Sequence, residues 1–239
     1  IITATYNASN CIKNLIDSLK RQTDQDFEWV VADGGSTDGT LELLQDNKNI
    51  FNLIIDSRPD FGIYDAINRA IKISNSNYYV VIGADDEFYN DAIYNYKIAC
   101  KNSDADFITS RVEVDGKICS VKKKMEWMYG QFAHVSAHAV GLAVKKKLHD
   151  KFGYYSRYFP IAADQLFILK SIHGCATINH QHFISGKFNR MGISSQDVLG
   201  TLVEGFRVQV KVGHLLLPQL ALLVARIIKN RSKITRNLF

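Results

Sequence analysis

The first hundred residues alternate between short apolar segments and segments with helical spacing, and this alternation constrains the fold more than any other feature. Residues 27–33, 52–57 and 78–85 have the length and composition of buried strands. Segments with helical periodicity separate them, at residues 12–19, 41–44, 62–73 and 91–100. Such an alternation predicts a mostly parallel central sheet with helices on both faces. We therefore predict an α/β fold that binds its ligands at the carboxyl ends of the strands.

Length and composition predict a single folded domain followed by a tail. The chain has 239 residues, of which 46% are hydrophobic, so it can bury a substantial core. We divide it into a domain over residues 1–195 and a helical, basic tail over residues 196–239. Because the chain begins at Ile1 inside an apolar segment, we expect residues of the first strand to precede it. Ser9 and Asn10 are predicted to cap the first helix.

The four cysteines do not form a recognisable framework. They are scattered along the chain and make no CxxC pair, which argues against a zinc knuckle or a set of disulfides. No signal peptide is recognisable at the start of the sequence. We therefore predict a reduced, cytoplasmic setting.

Acidic residues follow two of the predicted strands. Asp33 ends one strand, and Asp85 and Asp86 end another. Because the carboxyl ends of parallel strands meet at one edge of a sheet, Asp33 and Asp85 are predicted to lie close together. Crowded carboxylates are unfavourable unless a cation lies between them, and Mg²⁺ or Mn²⁺ prefers such oxygen ligands. A solvated turn is the alternative explanation. Neither GxGxxG nor GxxxxGK[ST] occurs, so the sequence supports no dinucleotide fingerprint and no P-loop.

Four ordered segments resemble the family 2 glycosyltransferases, which are inverting nucleotide-sugar enzymes of the GT-A fold. These segments are residues 3–40, 56–71, 82–86 and 161–169. The second resembles the bacterial polysaccharide branch of the family, and the third occupies the place of the DxD metal motif. The resemblance implies a GT-A fold, a nucleotide-sugar donor and a divalent metal, Mg²⁺ or Mn²⁺.

The same resemblance implies roles for individual residues. It assigns nucleotide binding to Thr5, Tyr6, Asp33, Asp65 and Ala84. In this assignment the Asp33 carboxylate accepts a hydrogen bond from the base of the donor.

The implied metal ligands follow the fourth strand. Asp85 is the main ligand, and Asp86 is either a second ligand or a group that orients the first. Gly83 stands where the DxD motif has its first carboxylate, so the motif lacks one acid.

Asp164 matches the catalytic aspartate of the family, which takes the proton from the acceptor hydroxyl. It precedes an apolar helical segment, so a helix N-cap is its structural alternative. On the acceptor or diphosphate side we place His138, Lys187 and Arg190, with residues 187–195 predicted as a loop that closes over the diphosphate. A buried core histidine and a solvated loop are the alternatives. His180 and His182 share one face of a predicted strand but lack a third ligand, so we do not predict zinc there.

The tail carries the net positive charge of the protein. No acidic residue follows Glu204, whereas seven of the 29 basic residues do. The rest of the chain therefore has 22 basic and 24 acidic residues, so it carries no net positive charge. These seven are Arg207, Lys211, Arg226, Lys229, Arg231, Lys233 and Arg236. The apolar run at residues 215–228 is shorter than the about 20 residues that span a bilayer. The tail is predicted either to contact an anionic membrane surface or to pack on the domain with a solvated end.

Together these features predict an inverting glycosyltransferase of bacterial surface polysaccharide biosynthesis. Its partners would be a nucleotide sugar, with a UDP-sugar favoured, and a glycan or polyprenyl-diphosphate-linked acceptor. We predict no nucleic-acid partner and a cytoplasmic location, with peripheral contact at the inner face of the cell membrane. Two alternatives remain: a metal-dependent nucleotidyltransferase or phosphatase, which would release phosphate without sugar transfer, and a nucleotide-sugar-binding protein without catalysis.

Overall fold

The computed structural model of the protein describes residues 1–122, 125–190 and 192–238. The strands are β1 (Ile2–Thr5), β2 (Glu28–Asp33), β3 (Asn52–Ser57), β4 (Tyr78–Val80), β5 (Glu87–Phe88), β6 (Phe107–Val114), β7 (Lys117–Cys119), β8 (Leu142–Lys145) and β9 (Ile178–Phe188). The α-helices are α1 (Ile12–Lys20), α2 (Thr40–Asp46), α3 (Ile63–Ile73), α4 (Ala92–Asn102), α5 (Glu126–Tyr129), α6 (Leu148–Phe152), α7 (Ala163–His173), α8 (Ile193–Gln196), α9 (Val198–Lys211) and α10 (Leu216–Leu238). A 3₁₀ turn, Gly130–Ala133, follows α5. The predicted alternation of strands and helices is confirmed.

The first three strands form a parallel sheet with β2 in the middle. At its carboxyl edge Thr5 lies opposite Asp33, and Asp33 lies opposite Ser57. A parallel bridge pairs Ile2 with Val81, so the chain that continues from β4 runs beside β1. The carboxyl ends of these strands and the acidic segment after β4 therefore share one edge, as the sequence predicts.

The remaining strands form a mixed sheet in the order β4-β8-β6-β9-β5, with β7 added to β6. Only β6 and β9 pair in parallel there, and the other strand pairs are antiparallel. Strand β5 approaches β9 closely, since a β-carbon on Gly186 would lie 2.0 Å from the carbonyl oxygen of Glu87. Because β5 directly follows the acidic segment after β4, this pairing places the end of β9 beside that segment.

Helices cover both faces of the sheet, as predicted. Alternate residues of β2 point into separate clusters: Val30 and Ala32 into one, and Trp29 and Val31 into the other. Such alternation is expected for a strand that is buried on both faces. The prediction of an α/β fold with a central sheet between helical layers is confirmed.

Three local predictions are wrong. The strand predicted over residues 78–85 is shorter, because β4 ends at Val80 and Asp85 and Asp86 lie in the turn before β5. The N-cap residue of α1 is Cys11, which makes no side-chain cap hydrogen bond, so Ser9 and Asn10 do not cap that helix. The segment at residues 187–195 is only partly a loop, because β9 continues to Phe188 and α8 begins at Ile193. Pairing with β5 and β6 extends β9 to Phe188, although the polar sequence of this segment suggests a loop. Met191 lies outside the described residues.

The C-terminal helices contact the rest of the protein through specific side chains. Val208 of α9 is fully buried in the same cluster as β2 and α7. On α10, Gln219 donates a hydrogen bond to the Trp127 carbonyl at 2.6 Å, and Arg226 donates to the Met128 carbonyl. Helix α10 therefore lies against α5. Within the described part of the chain, no helix is both long and apolar enough to cross a membrane.

Candidate active site

Asp33 lies at the carboxyl end of β2 and is completely buried. Its carboxylate accepts hydrogen bonds from the hydroxyls of Thr5 (3.0 Å), Ser57 (2.8 Å) and Ser36, and from the backbone N–H groups of Gly35 (2.9 Å) and Ser36 (2.8 Å). Burial alone would raise the pKa of Asp33, but these hydrogen bonds outweigh it and the pKa is lowered. The group is therefore an ionised carboxylate that joins three strand ends.

The loop after Asp33 packs closely against Tyr6, with room for only a glycine at position 34. A β-carbon on Gly34 would lie 3.0 Å from Asp60 Oδ2 and 3.2 Å from Tyr6 Cδ2. Gly35 has a φ of +87°, which favours glycine. The Tyr6 side chain is 68% exposed. An exposed aromatic ring next to a glycine loop offers a flat surface to a planar ligand.

Gly83 lets two carboxylates approach the same space. A β-carbon at position 83 would lie 2.8 Å from both Asp85 Oδ1 and Asp86 Oδ2. Real β-carbons essentially never make contacts this short, so a larger residue here would displace one of the acids. The glycine that breaks the DxD pattern is thus the residue that allows Asp85 and Asp86 to converge, next to the partly buried Ala84.

Asp86 is held by the backbone on two sides. Its Oδ2 accepts from the Gly83 N–H at 2.9 Å and its Oδ1 from the Asn189 N–H at 2.8 Å, while the Asn189 amide donates to the Asp85 carbonyl. Burial and the nearby Asp85 charge raise the pKa of Asp86 to about 7. A bound cation would reverse this effect and favour the ionised form. Asp85 is less buried than Asp86.

These two acids fit a hard divalent cation. Carboxylate oxygens are the ligands that Mg²⁺ and Mn²⁺ prefer, and both ions normally keep waters or phosphate oxygens at their other positions. Asp85 has the greater exposure, so it is the better placed first ligand. Asp86, fixed by Gly83 and Asn189, is better placed to hold the segment in shape.

Asp164 lies in the first turn of α7, and its carboxylate is 13% exposed. The Tyr64 hydroxyl donates to Oδ1 at 2.6 Å, and the Gln131 amide lies 3.5 Å from Oδ2. The N-cap residue of α7 is Ala162, so the interpretation of Asp164 as an N-cap is wrong. Its carboxylate is free of any capping role.

The start of α7 is instead capped from a distance. The Glu204 carboxylate of α9 accepts hydrogen bonds from the backbone N–H groups of Ile161 (3.0 Å) and Ala162 (2.9 Å). A negative charge at a helix N-terminus is stabilising because of the helix dipole. Glu204 therefore fixes the turn that carries Asp164.

His138 lies beside Asp164 in a buried polar network. Its Nδ1 is 3.8 Å from Asp164 Oδ2, and its Nε2 is 2.9 Å from the Tyr155 hydroxyl, which also contacts the Tyr79 hydroxyl at 2.8 Å. Burial lowers the pKa of His138, although the Asp164 charge acts in the opposite direction. Neutral imidazole is therefore the favoured form at neutral pH.

Helix α3 connects the strand edge to Asp164. Near the end of the helix, Arg69 donates to the Asp33 carbonyl at 3.1 Å, whereas Tyr64 contacts Asp164 one turn and a half earlier. Five residues span about 7.5 Å along a helix. The two groups of site residues thus belong to one region of the protein.

Asp65, also on α3, is paired within the protein. Its Oδ1 accepts a charged hydrogen bond from Arg157, and its Oδ2 lies 3.3 Å from the Phe61 N–H. Phe61 is 83% exposed, and the Arg157 guanidinium lies 5.2 Å from its ring centre. Asp65 therefore anchors an exposed aromatic and cationic pair at the start of α3.

Lys187 and Arg190 flank the contact between Asn189 and the two acids. Lys187 is an exposed residue of β9, in register with Glu87 and Glu113. The Arg190 guanidinium lies 3.3 Å from Asp115 in an exposed ion pair. Both residues are thus neighbours in sequence of Asn189, which contacts the acids, and the Arg190 side chain is directed toward the turn between β6 and β7.

Three residues of this site were not predicted from the sequence: Gln131, Asn189 and Glu204. Each contacts a residue that lies 33 or more positions away, so its role depends on the folded chain. One clue was available for Glu204, which is the last acid of the chain and stands among apolar residues of helical spacing. Gln131 and Asn189 carry no comparable pattern.

The sequence is similar to glycosyltransferases of known families. The PGL/p-HBAD biosynthesis glycosyltransferase of Mycobacterium tuberculosis is 41% identical over 95 residues, which cover 37% of this chain and 36% of that protein. The similarity therefore spans about a third of the mycobacterial relative.

Solved structures of the same fold cover almost the whole chain. S. aureus TarS (residues 1–349) in complex with UDP-GlcNAc has a TM-score of 0.71 at 18% identity, over 97% of this chain and 72% of that one. The mannosyltransferase PcManGT from Pyrobaculum calidifontis, in complex with GDP-Man and Mn²⁺, has a TM-score of 0.67 at 16% identity, over 97% and 74%. At these identities the likeness establishes the GT-A fold. The model of glycosyl transferase family 2 matches residues 1–167, and the chain belongs to this family.

Proposed function

We propose that this protein transfers a sugar, with inversion, from a nucleotide-diphosphate sugar to a hydroxyl of a glycan or lipid-linked saccharide in bacterial surface polysaccharide biosynthesis. The observation that carries the proposal is the pair of acidic centres in a family 2 fold. One is the convergent Asp85 and Asp86, and the other is the buried Asp164 held by Tyr64. A cation site and a positioned base are the two elements that such a transfer requires.

The donor is proposed to bind along the edge formed by β1 and β2. Tyr6 offers an exposed ring for the base, and the preceding residue, Thr5, bonds to Asp33. Since five hydrogen bonds already reach Asp33, a base N–H would replace one of them. The rotatable hydroxyls of Ser36 and Ser57 are the donors that can yield. Asp65 and Ala84 complete the proposed donor site, and the complexes of TarS with UDP-GlcNAc and of PcManGT with GDP-Man support a nucleotide sugar.

The cation is proposed to be held by Asp85, with Asp86 as second ligand or support. Mg²⁺ or Mn²⁺ there would neutralise charge on the departing nucleoside diphosphate. Lys187 and Arg190 lie on either side of Asn189 and could add positive charge to the same side. The Mn²⁺ in the PcManGT complex supports a divalent ion.

Asp164 is proposed to act as the general base. Tyr64 donates to Oδ1, which leaves Oδ2 to take the proton of the acceptor hydroxyl. The hydroxyl oxygen then forms its bond to the anomeric carbon while the bond from that carbon to the donor phosphate oxygen breaks. His138, neutral and 3.8 Å from Oδ2, is proposed to help position the acceptor.

A panel of nucleotide sugars tests the function, with binding followed by calorimetry and turnover by release of the nucleoside diphosphate and formation of a sugar product. We expect Asp85→Ala to remove the metal-dependent part of donor binding. Asp164→Asn should retain donor affinity and lower transfer about 100-fold or more. Asp104→Asn, at a carboxylate that is 97% exposed, is the matched control and should change neither.

Four results would contradict the proposal. Undiminished metal dependence in Asp85→Ala would refute the cation site. Equal loss of binding and transfer in Asp164→Asn would give that residue a structural role. Release of phosphate or pyrophosphate without sugar transfer would indicate a phosphatase or nucleotidyltransferase instead. Tight donor binding without turnover would indicate a binding protein.

The surface of α10 supports a peripheral membrane location near a lipid-linked acceptor. An apolar stripe recurs every four residues on its exposed side: Leu216 (56% exposed), Leu220 (45%), Val224 (50%) and Ile228 (62%). Lys229, Arg231 and Lys233 follow it and are exposed. Three such charges near an anionic surface contribute about 3 kcal/mol at low salt. Arg226 instead faces the protein, so not all seven basic residues of the tail can contribute.

Co-sedimentation with vesicles tests this location. We expect the full chain to bind anionic vesicles in a salt-sensitive manner, and a Lys229→Gln/Arg231→Gln/Lys233→Gln variant to lose most of that binding. Replacement of the exposed Lys13, Lys20 and Lys48 by Gln removes the same charge elsewhere and should leave binding unchanged. Equal loss in both variants, or no binding by the full chain, would refute the proposed contact.

A further inference from the structure

One glutamate, Glu126 at the start of α5, is surrounded by three histidines. Its Oε1 lies 2.7 Å from His173 Nε2 and 2.8 Å from His214 Nε2, and its Oε2 lies 2.6 Å from His134 Nε2. His173 ends α7 and His214 lies in the turn between α9 and α10. They are 47 and 88 positions away from Glu126 along the chain. None of these four residues belongs to the proposed donor or catalytic site.

We propose that Glu126, His173 and His214 form a binding site for a transition-metal ion, with Zn²⁺ as the best match. One ligand atom from each residue lies within 4.8 Å of the other two. Zinc binds imidazole nitrogen and carboxylate oxygen at about 2.0–2.2 Å and accepts three protein ligands with water as the fourth. In a tetrahedral arrangement such ligand atoms lie about 3.3 Å apart. The present hydrogen-bond distances need to lengthen only slightly to admit the ion.

The donor set favours zinc over the ion proposed for the active site. Two imidazole nitrogens and one carboxylate oxygen suit zinc and related transition metals, whereas Mg²⁺ prefers an all-oxygen set. Asp85 and Asp86 offer only carboxylates. The two sites should therefore prefer different metals.

His134 supplies the support that metal ligands usually have. It contacts Oε2, so Oε1 remains available to the ion and the carboxylate keeps a fixed orientation. Burial would raise the pKa of Glu126, but hydrogen bonds from the three histidines outweigh it and the pKa is lowered. Ligation requires the proton of each ligating imidazole to lie on Nδ1, which is a change of tautomer in a neutral histidine.

One side of the cluster is open to solvent. The Glu126 and His214 side chains are 18% and 22% exposed, but His173 is 40% exposed. An ion can therefore enter from the His173 side, and water can occupy the fourth position. Three protein ligands with one open position fit this partial exposure.

A bound ion would link the C-terminal helices to α5 and to the 3₁₀ turn that contacts Asp164. His214 precedes α10, whose Gln219 and Arg226 hold the carbonyls of α5. The 3₁₀ turn that follows α5 carries Gln131, which faces Asp164. An ion at Glu126 would tie these segments to the end of α7 by bonds stronger than the present hydrogen bonds. Its expected effect is structural stabilisation.

Metal titration of the full chain, stripped with a chelator and free of nucleotide, tests the inference. We expect calorimetry to show one Zn²⁺ site, and Co²⁺ to give the visible absorption bands of a four-coordinate ion. His173→Ala and His214→Ala should each weaken Zn²⁺ binding about 100-fold or more, and His134→Ala about 10- to 100-fold. His182→Ala, at an exposed histidine of β9, is the matched control and should bind like the parent chain.

The titration is repeated in Asp85→Ala so that the active-site acids cannot account for the signal. The same Zn²⁺ affinity there supports the separate site, and circular dichroism confirms that each variant is folded. Should a histidine variant unfold, Glu126→Gln replaces it, since it retains the size of the side chain. The inference is overturned if Zn²⁺ does not bind the parent chain, or if affinity is unchanged when either His173 or His214 is removed. Because donor binding is measured with Mn²⁺ at Asp85, failure here leaves the proposed function intact.

Discussion

The Tyr64→Phe variant removes the hydroxyl that bonds to the proposed base and that also lies 3.0 Å from the Ile161 carbonyl oxygen. The Tyr64 hydroxyl donates to Asp164 Oδ1 at 2.6 Å, and the ring is buried against Tyr155 with 5.5 Å between ring centres. Phenylalanine keeps this packing and removes only the hydroxyl. A hydrogen bond to a charged group contributes about 1.5–3 kcal/mol. At about 1.4 kcal/mol for each factor of ten in an equilibrium, the loss corresponds to a roughly 10- to 100-fold smaller population of the held orientation.

The direction follows from the orientation that the bond holds. With Oδ1 bonded to Tyr64, Oδ2 keeps one position toward the acceptor, and without the hydroxyl that position is less populated. The kcat for sugar transfer should therefore fall about 10- to 100-fold. Donor affinity should stay unchanged, because Tyr64 lies on the acceptor side of the proposed site.

The assay follows nucleoside diphosphate release from the donor, with donor binding measured in parallel. Tyr79→Phe is the matched control, since Tyr79 is also buried and bonds to His149 and Tyr155 without touching Asp164. An unchanged kcat in Tyr64→Phe, or an equal loss in Tyr79→Phe, would contradict the positioning role of Tyr64. A parallel loss of donor affinity would indicate that Tyr64 acts through folding.

Three further predictions concern the supports of the site. Gly83→Ala should displace the acids that converge beside position 83 and weaken Mn²⁺-dependent donor binding about tenfold, as measured by calorimetry. Unchanged Mn²⁺ dependence would contradict the role of the glycine. Glu204→Ala leaves two N–H groups at the start of α7 without an acceptor and should lower the free energy of unfolding by about 1–3 kcal/mol in urea titrations, with no effect expected from Val203→Ala. Burial lowers the pKa of His138 in the folded protein, so the unfolded chain protonates this imidazole first as the pH falls. The free energy of unfolding should therefore decrease as the pH drops through about 6.5, and it should decrease less in His138→Asn. Parallel pH curves for the two proteins would show that His138 does not contribute.

The local sequence was sufficient to predict the layered architecture and the carboxyl ends of β2 and β3. The period of apolar residues is set by the geometry of a helix or a strand, so it can be recognised without knowledge of distant contacts. The same reasoning placed Asp33 and Asp85 at one edge, because parallel strands of one sheet end together. The mixed pairing of β4 through β9 was not predicted, since strand order depends on which hydrogen-bonding edges meet after the chain turns.

Within the site, the local sequence was sufficient to identify the acids that follow a strand or begin a helix. The contacts of each acid depend on the tertiary structure. Asp33 is saturated by donors from β1, β3 and its own loop, and Asp86 depends on Asn189, 103 positions away. Glu126 is joined to histidines from α7 and from the turn before α10. Periodicity encodes only the environment of a residue within its own element. Contacts between distant side chains arise from the packing of those elements, which no short segment specifies.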